Sequence, residues 1–189
     1  MVLKKAIVVF MAAFFLASSA FAVEVAGVNV PETLKAGGQD FVLNGAGKRT
    51  KFGMGVYVNA LYLKQKSSDA NKILAADEPQ VVTLQITSGL VTSKKMEDAT
   101  REGFENSLKG NIAPLKDKID AFINIFKAKI TKGDLYEFVY VPGKGTEVFK
   151  NGALSSTIQG IEFKKALYGI WIGDKPAQAD LKAKLLGGK

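Results

Sequence analysis

Arginine is scarce in this chain, and the two positions that carry it are the first candidates for chemistry. The 189 residues include 26 lysines and arginines, and only Arg49 and Arg101 are arginines. Lysine therefore meets the general need for surface charge, whereas a guanidinium offers a planar fork of N–H donors that lysine lacks. Such a fork binds a carboxylate through two parallel hydrogen bonds. For Arg101 the alternatives are a surface ion pair with Glu97, four residues earlier on a predicted helix, or a second cation in a pocket.

Histidine and cysteine are both absent from the sequence. Their absence excludes nucleophilic sites built on Ser-His-Asp or Cys-His pairs, and zinc or iron sites built on histidine. No carboxylate cluster has the spacing of metal ligands, and Gly45-Ala46-Gly47 lacks the third glycine and the following helix of a dinucleotide-binding loop. We therefore expect neither a metal nor a cofactor.

The charge pattern indicates a solvated surface rather than a nucleic-acid-binding one. The formal net charge is +8, but the lysines are scattered and alternate with acidic residues. No dense basic run with interleaved aromatic residues is present. We therefore expect no nucleic-acid partner.

Residues 1–22 have the three parts of a secretory signal peptide. Lys4 and Lys5 give a positive start, an apolar run covers 6–16, and Ala20-Phe21-Ala22 forms a small-x-small cleavage site. The apolar run is shorter than the roughly 20 residues of a spanning helix, and a retained membrane anchor is the alternative. We expect export, to the periplasm if the source is Gram-negative. Residues 23–189 then form one domain without a transmembrane segment.

The hydrophobic pattern of that domain predicts an α+β fold, with an antiparallel sheet and helices gathered on one face. Met54–Leu63 is apolar on both faces of a strand and is expected at the centre of the sheet. The predicted strands cover 23–30, 41–43, 54–63, 80–87, 135–141, 146–149 and 153–158. The predicted helices cover 67–74, the stretch between Thr92 and Gly110, 114–126, 163–170 and 177–186.

Two glycine-containing stretches mark turns in this pattern. The strand that begins at Phe41 is expected to end at Asn44-Gly45-Ala46-Gly47, where the glycines indicate a tight turn or a close approach of two backbones. Asn151-Gly152 separates two apolar runs by two residues, which is the strongest hairpin signal in a sequence.

Three stretches, taken in order, resemble the chalcone isomerase superfamily, most closely its bacterial exported chalcone-isomerase-like branch. The first joins Leu43-Asn44-Gly45-Ala46-Gly47-Lys48-Arg49 to Gly55-Val56-Tyr57-Val58-Asn59-Ala60-Leu61-Tyr62-Leu63. The second is the hairpin 144–158, and the third runs from Ala166-Leu167-Tyr168-Gly169-Ile170-Trp171 to Pro176, ending at Asp180-Leu181-Lys182. The resemblance implies an open-faced β-sandwich, in which a large antiparallel sheet carries a helical layer on one face and a cleft lies between them.

The resemblance also implies roles for two residues. Arg49 matches the arginine that stabilises an anion in the enzymes of the superfamily and pairs with the carboxylate in its fatty-acid binders. Tyr57 falls where the enzymes have a threonine and the fatty-acid binders a tyrosine, whose phenol can donate to the same carboxylate. The alternatives are a surface arginine at a strand end and a core tyrosine. Trp171 is expected in the core.

Other positions depart from the enzymes' pattern. Where the enzymes carry a tyrosine and an asparagine near the first long helix, the best alignment places Val91 and Asp98, with Thr92 or Ser93 as a substitute for one of them. A polar substrate contact near the C-terminus becomes Ile170. Valine cannot orient a catalytic water, and an aspartate repels an anionic phenoxide unless it pairs with a cation.

The resulting prediction is an exported, non-catalytic binding protein for a small apolar carboxylic acid such as a fatty acid, with Arg49 and Tyr57 as its ligand-binding residues. Arg49 is also the single candidate for a catalytic role. The alternatives are an intramolecular lyase of the chalcone isomerase type, acting on a flavonoid-like molecule, and an envelope interaction protein without a ligand. The sequence does not indicate an oligomeric state.

Overall fold

The computed structural model describes residues 22–188. The expected signal peptide therefore lies outside the described residues except for Ala22. The strands are β1 (Ala22–Val25), β2 (Val28–Pro31), β3 (Thr33–Ala36), β4 (Gln39–Lys51), β5 (Met54–Leu63), β6 (Gln80–Ile86), β7 (Leu135–Val141), β8 (Gly145–Lys150) and β9 (Ala153–Ile158). The helices are α1 (Ala70–Ala75), α2 (Ser93–Ser107), α3 (Lys116–Ile123), α4 (Ile161–Ile172) and α5 (Ala179–Leu185).

Strands β3 to β9 form one antiparallel seven-stranded sheet, in which each strand pairs with its neighbours in the sequence. Strands β1 and β2 form a separate hairpin. The helices cover one face of the sheet, as the shared core of sheet and helical residues demonstrates. This arrangement confirms the predicted α+β fold with a large antiparallel sheet and a helical layer on one face.

The two faces of the sheet belong to different cores. The face that carries Leu61, Leu84 and Phe138 packs under α2, α3, α4 and α5 in the larger core. The opposite face, which includes Tyr62 and Val81, packs with Val30 of the β1–β2 hairpin in the smaller core. Burial on both faces explains why the second half of β5, from Val58 to Leu63, is apolar except for Asn59.

Strand β4 is longer than predicted, because the glycines at 45 and 47 lie inside it instead of ending it. A Cβ added to Gly45 would lie 2.0 Å from the Lys184 carbonyl oxygen, and one added to Gly47 would lie 2.9 Å from Leu181 Cδ1. Both glycines therefore allow α5 to lie directly on the strand. Of the two alternatives for these glycines, the structure therefore shows the close approach of backbones. The turn between β4 and β5 is formed by Phe52 and Gly53.

The first predicted strand, over 23–30, is also divided. Ala26 and Gly27 have positive φ angles and form the turn of the β1–β2 hairpin, a conformation that the valine pattern around them did not reveal. By contrast, Asn151 and Gly152 form the predicted turn between β8 and β9.

Helices α2 and α4 approach each other closely, and this contact shapes the space above the sheet. A Cβ on Gly103 would lie 2.8 Å from Ile170 Cγ2, and one on Gly169 would lie 2.1 Å from Ser107 Oγ. The Ser107 hydroxyl donates to the Ala166 carbonyl at 2.7 Å. Thr92 caps α2 by accepting a hydrogen bond from the Lys95 amide.

Candidate functional site

A cavity of about 300 Å³ lies between the sheet and helices α2 and α4. Most of its wall is apolar, and the residues that form this part include Leu84, Met96, Phe122, Phe126, Phe138, Leu167 and Ile170. Its polar and charged lining residues are Arg49, Lys51, Tyr57, Thr100, Glu102, Asn106 and Trp171. The cavity thus combines an apolar wall with several polar and charged groups, a combination found in small-molecule sites.

Arg49 reaches this cavity from β4 and is half-buried. Its Nη1 donates to the Thr50 carbonyl and, at 2.9 Å, to Gln178 Oε1. Gln178 precedes the first residue of α5, and its Oε1 also accepts from the Thr50 amide at 2.8 Å. The close packing of α5 on the glycines of β4 therefore brings Gln178 to the guanidinium and fixes its position.

Tyr57 lies directly opposite Arg49 in the antiparallel pairing of β4 and β5, so both side chains occupy the same face of the sheet. Burial raises the pKa of Tyr57, and the Trp171 hydrogen bond and the nearby Arg49 guanidinium partly oppose that rise. The phenol is therefore protonated at neutral pH.

The hydrogen bonds that Tyr57 forms within residues 22–188 leave its own proton without an acceptor. Trp171 Nε1 donates to the Tyr57 hydroxyl oxygen at 3.0 Å. An indole N–H and a guanidinium are donors only, so neither Trp171 nor Arg49 can accept the Tyr57 proton. The phenolic O–H is therefore available to an acceptor in the cavity.

The charge of Arg49 also lacks a carboxylate partner: no salt bridge within residues 22–188 includes it. Its hydrogen bonds to the described residues all use Nη1, which leaves the Nε and Nη2 donors for Tyr57 or a ligand. Lys51 adds a second positive charge to the lining, and Glu102 adds one negative charge. The site is therefore suited to an anion.

A comparison with Lys164, the buried lysine of α4, shows what a fully satisfied cation looks like in this protein. Lys164 Nζ donates to the carbonyls of Ile73, Leu74 and Ala76 at 3.0, 3.0 and 2.8 Å. These bonds use all three donors of an ammonium group. Burial lowers the pKa of Lys164 to about 8. Lys164 holds the end of α1 in place and has no donor left for a ligand.

The other arginine, Arg101, is not part of the cavity lining. Its Nη1 binds Asp120 of α3 at 2.9 Å, and both side chains are partly exposed. A surface ion pair was one of the two alternatives, but the predicted partner, Glu97, was wrong. The ion pair joins two helices instead of two turns of one helix.

The positions that align with the polar residues of the enzymes bring no polar group into the cavity. Asp98 is exposed and forms an ion pair with Lys94. Val91 is buried but does not line the cavity, whereas Ile170 is part of the apolar wall of the cavity. Ser93 Oγ donates to the Ala128 carbonyl at 3.0 Å, and the Thr92 hydroxyl caps α2.

Sequence reasoning missed two residues that position the site. Trp171 is 5% exposed, as expected of a core residue, but it also lines the cavity, binds Tyr57 and stacks on Phe138 with ring centroids 5.9 Å apart. Gln178 gave no signal at all, because its contact with Arg49 spans 129 residues.

The described part of the chain shows neither a cluster of metal ligands nor a membrane-spanning helix. Among residues 22–188, no group of three or more His, Cys, Asp or Glu side chains is arranged to hold a metal ion. The helices of this part also include none that is both long enough and apolar enough to cross a membrane.

Comparison with known proteins identifies the family of this chain. A solved structure of a fatty-acid binding protein from Arabidopsis thaliana matches with a TM-score of 0.69 and 18% sequence identity, covering 85% of this chain and 92% of that chain. None of the curated proteins matches this chain significantly. The family model described as chalcone isomerase-like matches residues 22–187. The chain therefore belongs to the chalcone isomerase-like family.

Proposed function

We propose that this protein binds a small apolar carboxylic acid, such as a fatty acid, without transforming it. The observation that carries the proposal is the Arg49 guanidinium, which has no salt-bridge partner among residues 22–188, beside the Tyr57 O–H on the wall of the same cavity. A carboxylate accepts from both groups at once. Such charge-assisted hydrogen bonds are about twice as strong as neutral ones.

The cavity size limits the length of the acid. A methylene group occupies roughly the volume of one water molecule in the liquid, about 30 Å³. The cavity of about 300 Å³ therefore has room for at most about ten carbons. Decanoate is thus the natural first probe.

The matched plant protein supports the same class of ligand. It is described as a fatty-acid binding protein, and its fold is shared over most of both chains. Because the sequence identity is only 18%, this likeness concerns the fold alone. The ligand assignment therefore depends on the chemistry of Arg49 and Tyr57.

Binding is favoured over ring closure because the cavity offers few groups that could move protons. The lining includes no histidine or cysteine, and the enzymes' polar positions are taken by Val91, Asp98 and Ile170. A flavonoid-like molecule remains a second probe of the cavity. We expect a chalcone to cyclise at the same rate with and without the protein.

We also propose that the protein belongs to the exported bacterial branch of the family, and that residues 1–22 are removed as a signal peptide. The support is the positive start, the short apolar run and the Ala20-Phe21-Ala22 site. N-terminal sequencing of the protein from its native host tests this. A first residue of Val23 is expected, and a start at Met1 would contradict the proposal.

The central experiment uses Trp171, the only tryptophan of the chain, as its reporter. Its indole lines the cavity and binds Tyr57, so we expect its emission to change when decanoate is added. Decanol, which has the same chain without the carboxylate, is the matched control. It should bind at least ten-fold more weakly, because the loss of one charged hydrogen bond has about this effect. Equal binding of decanol and decanoate would overturn the proposed role of the Arg49–Tyr57 pair.

Acids of increasing length then test the cavity size. Each buried methylene contributes about 0.8 kcal/mol, so the affinity should rise about four-fold per carbon. We expect this increase to diminish beyond about ten carbons, when the cavity is full.

A further inference from the structure

An apolar groove opens on the surface next to the cavity. It has a volume of about 340 Å³ and is lined by Phe52, Met54, Leu90 and Val91, among others. Phe52 is 88% exposed, Met54 48% and Leu90 52%. Val56, Tyr57 and Met96 line both the groove and the cavity, so the two adjoin. A contiguous exposed apolar patch of this kind marks an interaction site.

Phe52 occupies a backbone position that disfavours it. It precedes Gly53 in the two-residue turn between β4 and β5, and its φ angle is +52°. A positive φ is a genuine outlier for a bulky residue. The equivalent turn between β8 and β9 uses Asn151 before Gly152, with a φ of +51°, which is the favoured choice for this turn. The protein therefore tolerates strain to present an aromatic ring to the solvent, a feature typical of functional sites.

Lysines slightly outnumber acidic residues around the groove, with Lys51, Lys94 and Lys95 against Asp98 and Glu102. Lys51 Nζ lies 5.9 Å from the centre of the Phe52 ring, and Lys95 Nζ donates to the Leu90 carbonyl at 3.1 Å. Neither lysine forms a salt bridge with any of residues 22–188. Asp98 and Glu102 also line the groove, and Lys94 neutralises Asp98. Exposed apolar side chains beside unpaired lysines complement a surface with an apolar interior and negative headgroups.

We propose that this groove docks on the surface of an anionic lipid bilayer, with Phe52, Met54 and Leu90 inserted among the headgroups. The inference rests on the proposed function, because an apolar acid in the cavity needs a route to the membrane that avoids water. Docking places the side chains shared by the groove and the cavity next to the lipid. The Arg49–Tyr57 pair, which borders the groove through Tyr57, then receives the carboxylate.

The test is sedimentation of the protein with phosphatidylcholine vesicles that either contain or lack phosphatidylglycerol. We expect the protein to pellet with the anionic vesicles only, and added salt to weaken binding through the lysines. Phe52→Asn should reduce the bound fraction about ten-fold, because a buried aromatic side chain is lost. The same variant should unfold at a temperature about 2–4 °C higher, since asparagine suits the turn.

Leu154→Asn is the matched control, since Leu154 is 55% exposed on β9 and lies outside the groove. It should sediment with anionic vesicles like the unchanged protein. Equal binding by the Phe52→Asn variant, or no binding by the unchanged protein, would overturn the docking proposal. Self-association that depends on Phe52 in the absence of vesicles would also overturn it, because the groove would then bind a second copy.

The failure of docking can be distinguished from the failure of acid binding. Decanoate binding measured by Trp171 emission requires no vesicles, and Phe52 does not line the cavity. Normal decanoate binding without vesicle binding would reject docking alone. Vesicle binding that depends on Phe52, without decanoate binding, would reject the proposed function and leave a lipid-docking surface.

Discussion

Trp171 donates a hydrogen bond to Tyr57 across the cavity wall, at 3.0 Å between Nε1 and the hydroxyl oxygen. This bond joins α4 to β5, and because the indole is only a donor, the Tyr57 proton is left for another acceptor. Arg49, the opposite residue on β4, lines the same cavity, so the guanidinium and the phenol are both available there. Two donors that converge on one small volume predict a single acceptor between them, and this geometry governs the first two predictions.

Replacing Tyr57 by phenylalanine should weaken decanoate binding about ten-fold, the effect of one hydrogen bond to a charged group. Because burial raises the pKa of Tyr57, its phenol should keep its proton up to at least pH 10. We therefore expect no Tyr57-dependent change in affinity between neutral pH and about pH 10. Titration by Trp171 emission checks both points. A loss of affinity in that range that disappears in Tyr57→Phe would contradict the assignment.

Replacing Arg49 by glutamine should weaken decanoate binding more strongly, by about ten-fold to one hundred-fold, because the charge and the fork are both lost. Arg49→Lys retains the charge and should recover only part of the affinity. The matched control is Arg101→Gln. It removes the other arginine, which pairs with Asp120 outside the cavity lining. Calorimetric titration of the three variants decides the matter. An equal loss in Arg101→Gln would show that net charge, rather than the Arg49 site, attracts the acid.

The parts of the fold that depend on local pattern were predictable from the sequence. Apolar residues on one face predicted β6, a short apolar run predicted β7, and Asn151-Gly152 predicted the hairpin between β8 and β9. The helical stripe after Pro114 was also correct, since Leu115 to Phe126 supplies buried residues to the larger core.

The features that escaped prediction depend on contacts between distant parts of the chain. Gly45 is glycine because the backbone of α5, almost 140 residues later, lies on it, whereas a local reading of glycines favours a turn. Gln178 reaches Arg49 through the same packing of α5. The rarity of arginine and the surrounding family motif were enough to select Arg49. They contained no information about which residue positions its guanidinium.

Gly45→Ala should therefore destabilise the protein, because its Cβ would lie 2.0 Å from the Lys184 carbonyl oxygen. Overpacking of this kind costs about 1–3 kcal/mol. Displacement of α5 should also move Gln178 and weaken decanoate binding. Urea unfolding and Trp171 titration measure the two effects. Gly89→Ala is the control, since no atom lies within 4 Å of its added Cβ, and a similar loss there would refute the steric explanation.

Asp134 should make the free energy of unfolding depend on pH in the acidic range. Burial raises its pKa, but hydrogen bonds from Asn151, Thr131 and Lys150 outweigh that effect and hold the pKa well below its usual value of 3.8. The unfolded chain then binds a proton more readily than the folded one, so the contribution of Asp134 is complete above about pH 4 and decreases as the pH falls further.

Asp134→Asn should lower the free energy of unfolding by about 1–3 kcal/mol at pH 7, and by less at low pH. Urea unfolding at several pH values measures this difference. The control is Asp40→Asn, because Asp40 forms an exposed ion pair with Lys35 and should contribute little at any pH. A pH dependence that is identical in Asp134→Asn and the unchanged protein would contradict the prediction.

Gln178→Glu places a carboxylate where a neutral amide now contacts Arg49 at 2.9 Å. The new ion pair supplies from within the protein the partner that a bound acid is proposed to supply, so decanoate must displace it or share the guanidinium. We expect the affinity to fall at least ten-fold, the effect of one charged hydrogen bond. The stability should change little, because the new charge is favourable beside Arg49 and the start of α5 but loses the Gln178 hydrogen bond to Asp180. This combination separates the variant from a damaged protein. Calorimetric titration and thermal unfolding measure the two effects, and undiminished decanoate binding by a folded Gln178→Glu protein would mean that the acid does not bind at Arg49.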